Sequence, residues 1–141
     1  VDNETLYKAC DIISLHMPLL DSTRHFVNAE TIAKMKDGVT IINCARGELM
    51  NIPDMIRGIE TQKIGALALD VFDKEDGIYH ENRRDDIISN RDMAYLRQFP
   101  NVIMTQHMAF YTDAAVQSMV FCGIEGLCDF AKTGHTATEL V

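Results

Sequence analysis

Short runs of apolar residues alternate along the chain with segments in which apolar residues recur every three or four positions. We interpret the runs as buried strands, namely Ile12–Leu15, Val39–Asn43, Ile64–Val71 and Val102–Thr105. Strands that alternate with helical periods indicate βαβ units and a parallel sheet. The pattern therefore predicts an α/β fold with helices that flank a parallel sheet.

Helical periods precede or separate these runs. A short helix that includes Leu6 comes before the first strand, and Asn28 can cap a second helix whose apolar side includes Ile32. Pro53 suits the first turn of a third helix, and a fourth helix is predicted around Arg91 to Arg97. The last three of these helices thus lie between strands, as βαβ units require.

The longest helical period follows the fourth strand. Thr112 or Asp113 can begin this helix, and Gly134 can end it. Its apolar positions are Val116, Met119, Val120, Gly123, Ile124, Leu127, Phe130 and Ala131. The charged stretch Asp73–Asp86 has little to bury, so it is predicted to be a long loop, a kind of segment that is often functional.

Composition limits the classes of partner. The chain has 141 residues, 47% of them hydrophobic, which predicts one domain with a real core. With 21 acidic and 13 basic residues its formal net charge is −8, which disfavours nucleic acid and anionic membranes. We see no apolar run near the roughly 18 residues of a membrane span and no basic signal-peptide start. We therefore expect a soluble, cytoplasmic protein.

Cysteines and histidines give no sign of a metal site. No C-x-x-C spacing occurs among Cys10, Cys44, Cys122 and Cys128, and three of them have apolar neighbours, so we expect reduced, buried thiols. The histidines are scattered singly, without metal-ligand spacing: His16, His25, His80, His107 and His135. We predict no metal centre.

An arginine, a carboxylate segment and a histidine each follow a predicted strand. They are Arg46, the segment Asp70 to Glu75, and His107. Ligands of open α/β sheets bind outside the carboxyl ends of the strands. An arginine can grip a carboxylate through two hydrogen bonds, and a histidine held by a carboxylate can exchange a proton near neutral pH. Together they suit a small 2-keto or 2-hydroxy acid.

Each of these residues alone also has an ordinary structural explanation. Arg46 can be a surface arginine at a turn, and Glu75 lies in a charge run of the kind usually found in solvated loops. His107 lies beside apolar residues, so it can be a core histidine whose hydrogen bonds are all made within the protein. Asp70 can simply close a turn. Their shared position at strand ends favours the functional interpretation.

Four segments, in the same order, resemble motifs of the D-isomer-specific 2-hydroxyacid dehydrogenase family. Cys10–Leu19 resembles "SDIISLHVPL", Ile42–Leu49 resembles "INTARGEL", Gly65–Phe72 resembles "GAALDVF" and Asn101–Thr112 resembles "NVIITPHTAFYT". The aromatic pair Phe110 and Tyr111, with the long segment between Asp76 and Pro100, favours the D-lactate and D-2-hydroxyisocaproate branch. The resemblance implies a Rossmann-like domain and NAD as the cofactor.

The resemblance also implies roles for individual residues. Arg46 would hold the substrate carboxylate, and Phe110 would contribute to the substrate pocket. His107 would protonate the carbonyl oxygen as hydride arrives from the nicotinamide, and Glu75 would hydrogen-bond His107 and favour its charged form. The residues that match positions lining the NAD site are Met17, Pro18, Thr23, Cys44, Ala45, Arg46, Asp70 and His107, with Asp70 near the nicotinamide amide.

Two departures from the family pattern stand out. Gln106 replaces the usual proline before the histidine, and no G-x-G-x-x-G loop occurs anywhere. We therefore expect a C-terminal fragment. Residues 1–112 would be the second half of an NAD-binding Rossmann domain, and 113–141 a long helix and tail returning towards a substrate domain.

The missing glycine-rich loop leaves two functions open. The first is part of an NAD-dependent D-2-hydroxyacid dehydrogenase, with weak or no NAD affinity in the isolated chain. The second is a catalytically incompetent module that acts only in dimerisation or dinucleotide sensing. In either case Ile12–Leu15 would form an exposed sheet edge, so we expect a homodimer or self-association.

Overall fold

Four parallel strands form one sheet in the computed structural model, which describes residues 1–80, 82 and 90–139. The strands are β1 (Ile12–Leu15), β2 (Val39–Asn43), β3 (Ile64–Leu69) and β4 (Val102–Met104). Their order in the sheet is the same as their order along the chain, and every neighbouring pair is parallel. The carboxyl ends of all four strands therefore lie along one edge. The predicted α/β fold is confirmed.

Five helices accompany the sheet within the described residues. They are α1 (Asn3–Ala9), α2 (Ala29–Lys34), α3 (Ile52–Glu60), α4 (Arg91–Leu96) and α5 (Asp113–Thr133). The side chains of Asn28 and Asn51 accept backbone N–H groups at the starts of α2 and α3, so these helices begin at polar caps. A short 3₁₀ helix, Gly47–Leu49, lies between β2 and α3 and was not predicted.

The chain divides into two compact units, Val1–His107 and Met108–Val141. In the first unit, alternate residues of β1 and β2 are buried, because successive side chains of a strand point to opposite faces. These residues pack with the apolar sides of α2, α3 and α4 in one core. That core fixes the sheet whose carboxyl edge carries the candidate site.

Two strands end earlier than their apolar runs suggest. β3 ends at Leu69 and not at Val71, and β4 ends at Met104 and not at Thr105. The hydroxyl of Thr105 donates to the carboxylate of Asp70 at this point, so polar side chains link the two strand ends where the ladder stops. After β3, residues 73–80 form turns, as the predicted loop requires, and residues 81 and 83–86 of that loop lie outside the described residues.

The second unit contains α5, which begins and ends at the predicted residues. Thr112 caps it by accepting the N–H of Ala115, and Gly134 ends it at a φ of 75°. No residue of α5 is buried, and Leu127 is 73% exposed. The apolar stripe predicted from the sequence therefore exists, but its residues face solvent in this unit.

Helix α5 corrects an expectation about membrane-length segments. By length and composition alone its 21 residues could cross a membrane, because the mean hydropathy of an 18-residue window reaches 1.2. The sequence-based expectation that no such segment exists was wrong. The helix also carries Glu125 and Asp129, whose charges would be costly in a bilayer.

The expectation of buried thiols was also wrong. Cys10 is half-buried, and Cys44, Cys122 and Cys128 are exposed. Two of the exposed cysteines lie on α5, where nothing in the second unit covers the apolar positions. Apolar sequence neighbours therefore did not imply burial.

Candidate active site

Residues with binding or acid/base chemistry follow every strand of the sheet. They are Met17 and Pro18 after β1, Cys44, Ala45 and Arg46 after β2, Asp70 after β3, and His107 after β4. All of them belong to the first unit. They lie beyond the carboxyl ends of parallel strands, which is where ligands of open α/β sheets bind.

Three candidate catalytic residues, Arg46, Glu75 and His107, line one pocket of about 240 Å³. The other lining residues come from the segments that follow β2 and β3, namely Gly47, Glu48, Val71, Phe72, Lys74 and Asp76. A pocket of this size suits a small organic acid better than a large ligand. The structure thus brings together three residues that lie far apart in the sequence.

His107 and Glu75 form a close pair within this pocket. The Nδ1 atom of His107 lies 2.5 Å from Oε1 of Glu75, and the two side chains are only 35% and 21% exposed. The other carboxylate oxygen of Glu75, Oε2, accepts the N–H of Phe72 at 2.7 Å. Because an ionised carboxylate only accepts hydrogen bonds, Nδ1 of His107 carries the proton in this pair, and Nε2 is the ring nitrogen that can act as an acid or a base.

The backbone of His107 has an unusual conformation. Its φ is 53°, in the left-handed region that histidine visits more often than most residues. Its N–H donates to the carbonyl oxygen of Asp70 at 2.7 Å, and the N–H of Thr105 donates to that of Leu69 at 2.9 Å. These bonds join the end of β4 to the end of β3 and hold the turn that carries the imidazole.

Arg46 is the arginine that lines the pocket. The side chain is exposed, and its Nη1 donates to the carbonyl oxygen of Ala45 at 2.7 Å. Arg46 forms no ion pair in the part of the chain that the structure describes. Its positive charge is therefore available to bind an anion.

The turn that carries Arg46 is held by Asn43, the last residue of β2. Asn43 is fully buried, and its Oδ1 accepts the N–H of Ala45 at 3.0 Å. Its Nδ2 donates to the carbonyl oxygen of Arg46 at 2.8 Å. Both polar atoms of this buried side chain are satisfied by the turn.

Gly47 lets two segments of the site approach each other closely. A Cβ atom at this position would lie 2.2 Å from the carbonyl carbon of Phe72 and 2.4 Å from the nitrogen of Asp73. Only glycine fits at such a distance from another backbone. The contact brings the Arg46 turn against the segment that leads to Glu75.

Asp70 and Cys44 lie at the ends of the two central strands. Asp70 is 4% exposed and accepts a hydrogen bond from the hydroxyl of Thr105. The pKa of the Cys44 thiol is raised, first by partial burial and then by the negative charge of Asp70. Cys44 therefore stays a protonated, neutral thiol, which is poorly suited to nucleophilic chemistry.

Thr23 closes the turn that follows β1. Its hydroxyl donates to the carbonyl oxygen of Pro18 at 2.8 Å and accepts the N–H of Leu20 at 2.8 Å. Met17 in this turn is half-buried and Pro18 is exposed. The residues predicted to line the cofactor site after β1 thus belong to one hydrogen-bonded turn.

Phe110 lies in the second unit. It is 45% exposed, and its ring packs edge to face against Tyr111, with 6.1 Å between ring centroids. Its role in a substrate pocket stays a prediction.

Several residues of the site were not anticipated from the sequence. Asn43 and Gly47 organise the Arg46 turn, and the available signals were a polar residue that ends an apolar strand and a glycine next to an arginine. Lys74, with a φ of 58°, and Asp76 line the pocket. They sit in a charge run in which nothing distinguishes them. Among residues 1–80, 82 and 90–139, no cluster of histidine, cysteine or acidic side chains could hold a metal ion.

Comparison with known families identifies the chain. Residues 1–109 match the model of the D-isomer specific 2-hydroxyacid dehydrogenase, NAD binding domain. The chain belongs to this family. The family that the strand-end motifs predicted is therefore confirmed.

Curated relatives carry related names. An aromatic 2-oxoacid reductase of Clostridium sporogenes is 44% identical over 98% of this chain and 42% of the relative. A D-lactate dehydrogenase of Lactiplantibacillus plantarum is 35% identical over 97% of this chain and 41% of the relative. The dehydrogenase-family chain thus spans about two fifths of the length of these relatives.

Solved structures agree with the fold. A D-lactate dehydrogenase from Sporolactobacillus matches with a TM-score of 0.95 at 32% identity, over 99% of this chain and 42% of that chain. A D-lactate dehydrogenase with NAD+ from Lactobacillus jensenii matches with a TM-score of 0.91 at 33% identity, over 100% and 42%. The Rossmann-like fold predicted for this dehydrogenase-family chain is confirmed.

Proposed function

We propose that this chain carries the anion-binding and acid/base residues of an NAD-dependent D-2-hydroxyacid dehydrogenase, which reduces a 2-keto acid such as pyruvate to the D-2-hydroxy acid. One observation supports the proposal above the others. A single pocket unites Arg46, which forms no ion pair within the described residues, with the hydrogen-bonded pair of His107 and Glu75. Besides a hydride, the reduction of such an acid needs a cation that binds its carboxylate and a donor that protonates its carbonyl oxygen.

The residues at the strand ends fit the nicotinamide end of NAD. Turns after β1 and β2 and the buried Asp70 after β3 line one edge of the sheet, where a flat group with a polar amide can lie. When bound, NADH supplies the hydride that reaches the carbonyl carbon. Asp70 is the residue that we place next to the amide.

Arg46 would bind the substrate carboxylate. A guanidinium offers parallel N–H donors that match the two oxygens of a carboxylate, a geometry that lysine cannot reproduce. The bond from Nη1 to the carbonyl oxygen of Ala45 restrains one edge of this group. The rest of the guanidinium can then orient the acid, with its carbonyl towards His107.

His107 would donate a proton from Nε2 to the carbonyl oxygen during reduction. Nδ1 is engaged by Glu75, so Nε2 carries a proton only when the ring is an imidazolium. The carboxylate of Glu75 stabilises that positive ring and fixes its orientation, and the N–H of Phe72 holds the carboxylate in turn. In the reverse direction, Nε2 would take the hydroxyl proton.

The preferred substrate side chain is a further part of the proposal. One relative is named as an aromatic 2-oxoacid reductase and others as D-lactate dehydrogenases. Pyruvate and phenylpyruvate therefore represent the two candidate substrates. We further propose a cytoplasmic location and a homodimer or self-association through the edge strand β1, whose Ile12 is 62% exposed.

The experiment follows NADH oxidation with each acid, using this chain and a form extended at its N-terminus by the corresponding segment of a relative. We expect activity in the extended form that is abolished by Arg46→Gln and by His107→Ala. His25→Ala is a matched control, since His25 has the same φ of 53° and does not line the pocket.

Three outcomes separate the candidate functions. Activity that depends on Arg46 and His107 supports the dehydrogenase. NADH binding without turnover in either form favours a dinucleotide-sensing or dimerisation module. An extended form that neither binds NADH nor reduces either acid contradicts both the dehydrogenase and the dinucleotide sensor, and light scattering then tests the dimerisation module.

A further inference from the structure

Asn43 connects the two halves of the candidate site. Its buried side chain donates from Nδ2 to the carbonyl oxygen of Arg46 at 2.8 Å. Its own carbonyl oxygen accepts the N–H of Asp70 at 3.0 Å, and the carbonyl oxygen of Asp70 accepts the N–H of His107 at 2.7 Å. An unbroken path of hydrogen bonds therefore runs across β2, β3 and β4 from the Arg46 turn to His107.

The same side chain also restrains the guanidinium. Oδ1 of Asn43 accepts the N–H of Ala45 at 3.0 Å, and the carbonyl oxygen of Ala45 accepts Nη1 of Arg46 at 2.7 Å. The Arg46 side chain is thus folded back onto the peptide group that lies between the two peptide groups held by Asn43. A change in those peptide groups would move the charge that grips the substrate.

We propose that Asn43 is a positioning residue that sets the guanidinium of Arg46 relative to the imidazole of His107. The consequence for ligand binding rests on the proposed function, whereas the effect on Arg46 itself does not. Displacing a positioned group by about 1 Å can cost up to about 100-fold in activity. A buried amide that holds this turn is therefore a determinant of the reaction without touching the substrate.

Asparagine suits the position because one planar group supplies both a donor and an acceptor. Aspartate would keep the acceptor for Ala45 but would turn a second oxygen towards the carbonyl of Arg46. Leucine has a similar volume but would leave both backbone groups without these bonds. Serine can bond only one of them, so it loosens the turn without introducing a charge.

The test compares Asn43→Ser and Asn43→Asp with Asn101→Ser in this chain. Asn101 is a matched control, since its Nδ2 donates to a backbone carbonyl of the same sheet, that of Gly65, at 2.8 Å. Two measurements report on the turn: the NMR order parameter of the Arg46 Nε–H group and the hydrogen-exchange rate of the Ala45 amide. Two others report on stability and binding: the unfolding midpoint and the dissociation constant of oxamate, a non-reducible analogue of pyruvate.

Asn43→Ser is expected to make the Arg46 Nε–H group mobile, speed exchange at Ala45 and weaken oxamate binding about tenfold or more. Asn101→Ser is expected to lower the unfolding midpoint without any of these changes. A folded Asn43→Ser chain with unchanged Arg46 order overturns the proposal. If both Asn43 variants fail to fold, hydrogen exchange of the Ala45 amide in the unsubstituted chain decides. Slow exchange supports the hydrogen bond from this amide to Asn43, and fast exchange overturns the proposal.

Failure of the proposed function gives a different result. A chain that shows no response to oxamate, but whose Arg46 loosens in Asn43→Ser, keeps the positioning role and loses the dehydrogenase assignment. Oxamate binding that is equal in the unsubstituted chain and in Asn43→Ser, with Arg46 loosened, shows that the position of Arg46 does not govern binding and overturns the part of the proposal that makes Asn43 a determinant of the reaction.

Discussion

Replacing Gly47 with alanine places a methyl group against the backbone of Phe72 and Asp73. The new Cβ would lie 2.2–2.4 Å from three backbone atoms, whereas ordinary contacts begin at 3.4 Å. Backbone cannot rotate out of the way as the end of a side chain can. The Arg46 turn and the segment that leads to Glu75 must therefore separate by about 1 Å.

Overpacking of this kind costs about 1–3 kcal/mol of folding stability. The larger effect is expected in function, because separating Arg46 from the His107–Glu75 pair by ~1 Å can cost up to about 100-fold. We expect a chain that still folds, with an unfolding midpoint lowered by a few degrees and oxamate binding reduced far more than stability.

The assay combines thermal unfolding with oxamate titration for Gly47→Ala and Gly58→Ala. Gly58 is a suitable control, since a Cβ there would meet the end of the flexible Ile64 side chain, and Gly58 does not line the pocket. Loss of stability without loss of binding is expected for this control. Gly47→Ala that matches the unsubstituted chain in midpoint and in oxamate affinity would refute the reasoning.

Four further predictions concern single residues. Arg46→Lys should weaken oxamate binding by about 1.5–3 kcal/mol because the second parallel hydrogen bond is lost; calorimetry showing equal affinity would contradict it. Glu75→Gln in the extended form should lower kcat about 10- to 100-fold with KM unchanged, since the imidazolium loses its carboxylate while the N–H of Phe72 keeps an acceptor. Burial and the charge of Glu75 raise the pKa of Tyr79 from 10 to about 12. The contribution of this shift to the free energy of unfolding is full below pH 10 and is lost as pH rises through 12. Tyr79→Phe should remove this part of the alkaline loss of stability, and identical unfolding curves of the two chains over that pH range would disprove the prediction. Ile12→Lys should reduce the apparent mass in light scattering at high concentration, and a monomeric unsubstituted chain would rule out self-association.

The sequence predicted the parts of the site that depend on local pattern. Arg46 and His107 could be placed at strand ends because each follows an apolar run that is visible in the sequence, and the carboxyl ends of parallel strands lie at the same edge of a sheet. The two hydrogen bonds by which Asn43 holds the Arg46 turn could not be predicted, since they depend on a turn whose geometry the apolar run does not encode. The close contact of Gly47 with Phe72 likewise joins segments that only the folded sheet brings together.

Strand ends and burial were predicted less well, for related reasons. The run through Val71 stays apolar, so nothing in it marks Leu69 as the last residue of β3. Helical period in α5 shows which residues share a face, but it does not say what covers that face. Leu127 and Cys128 are therefore exposed in the second unit despite their apolar neighbours.

The last strand of the sheet is also its shortest and lies at an edge. β4 pairs with β3 over three residue positions, against four and five for the other neighbouring pairs. Edge strands with few ladder bonds open at a lower free energy than the global unfolding of a domain. Brief opening of β4 would withdraw His107 from Glu75 while Arg46 stayed clamped to β2. Under the proposed function, an N-terminally extended form is therefore expected to lose proton transfer before anion binding on gentle heating, so that its inactivation would precede unfolding.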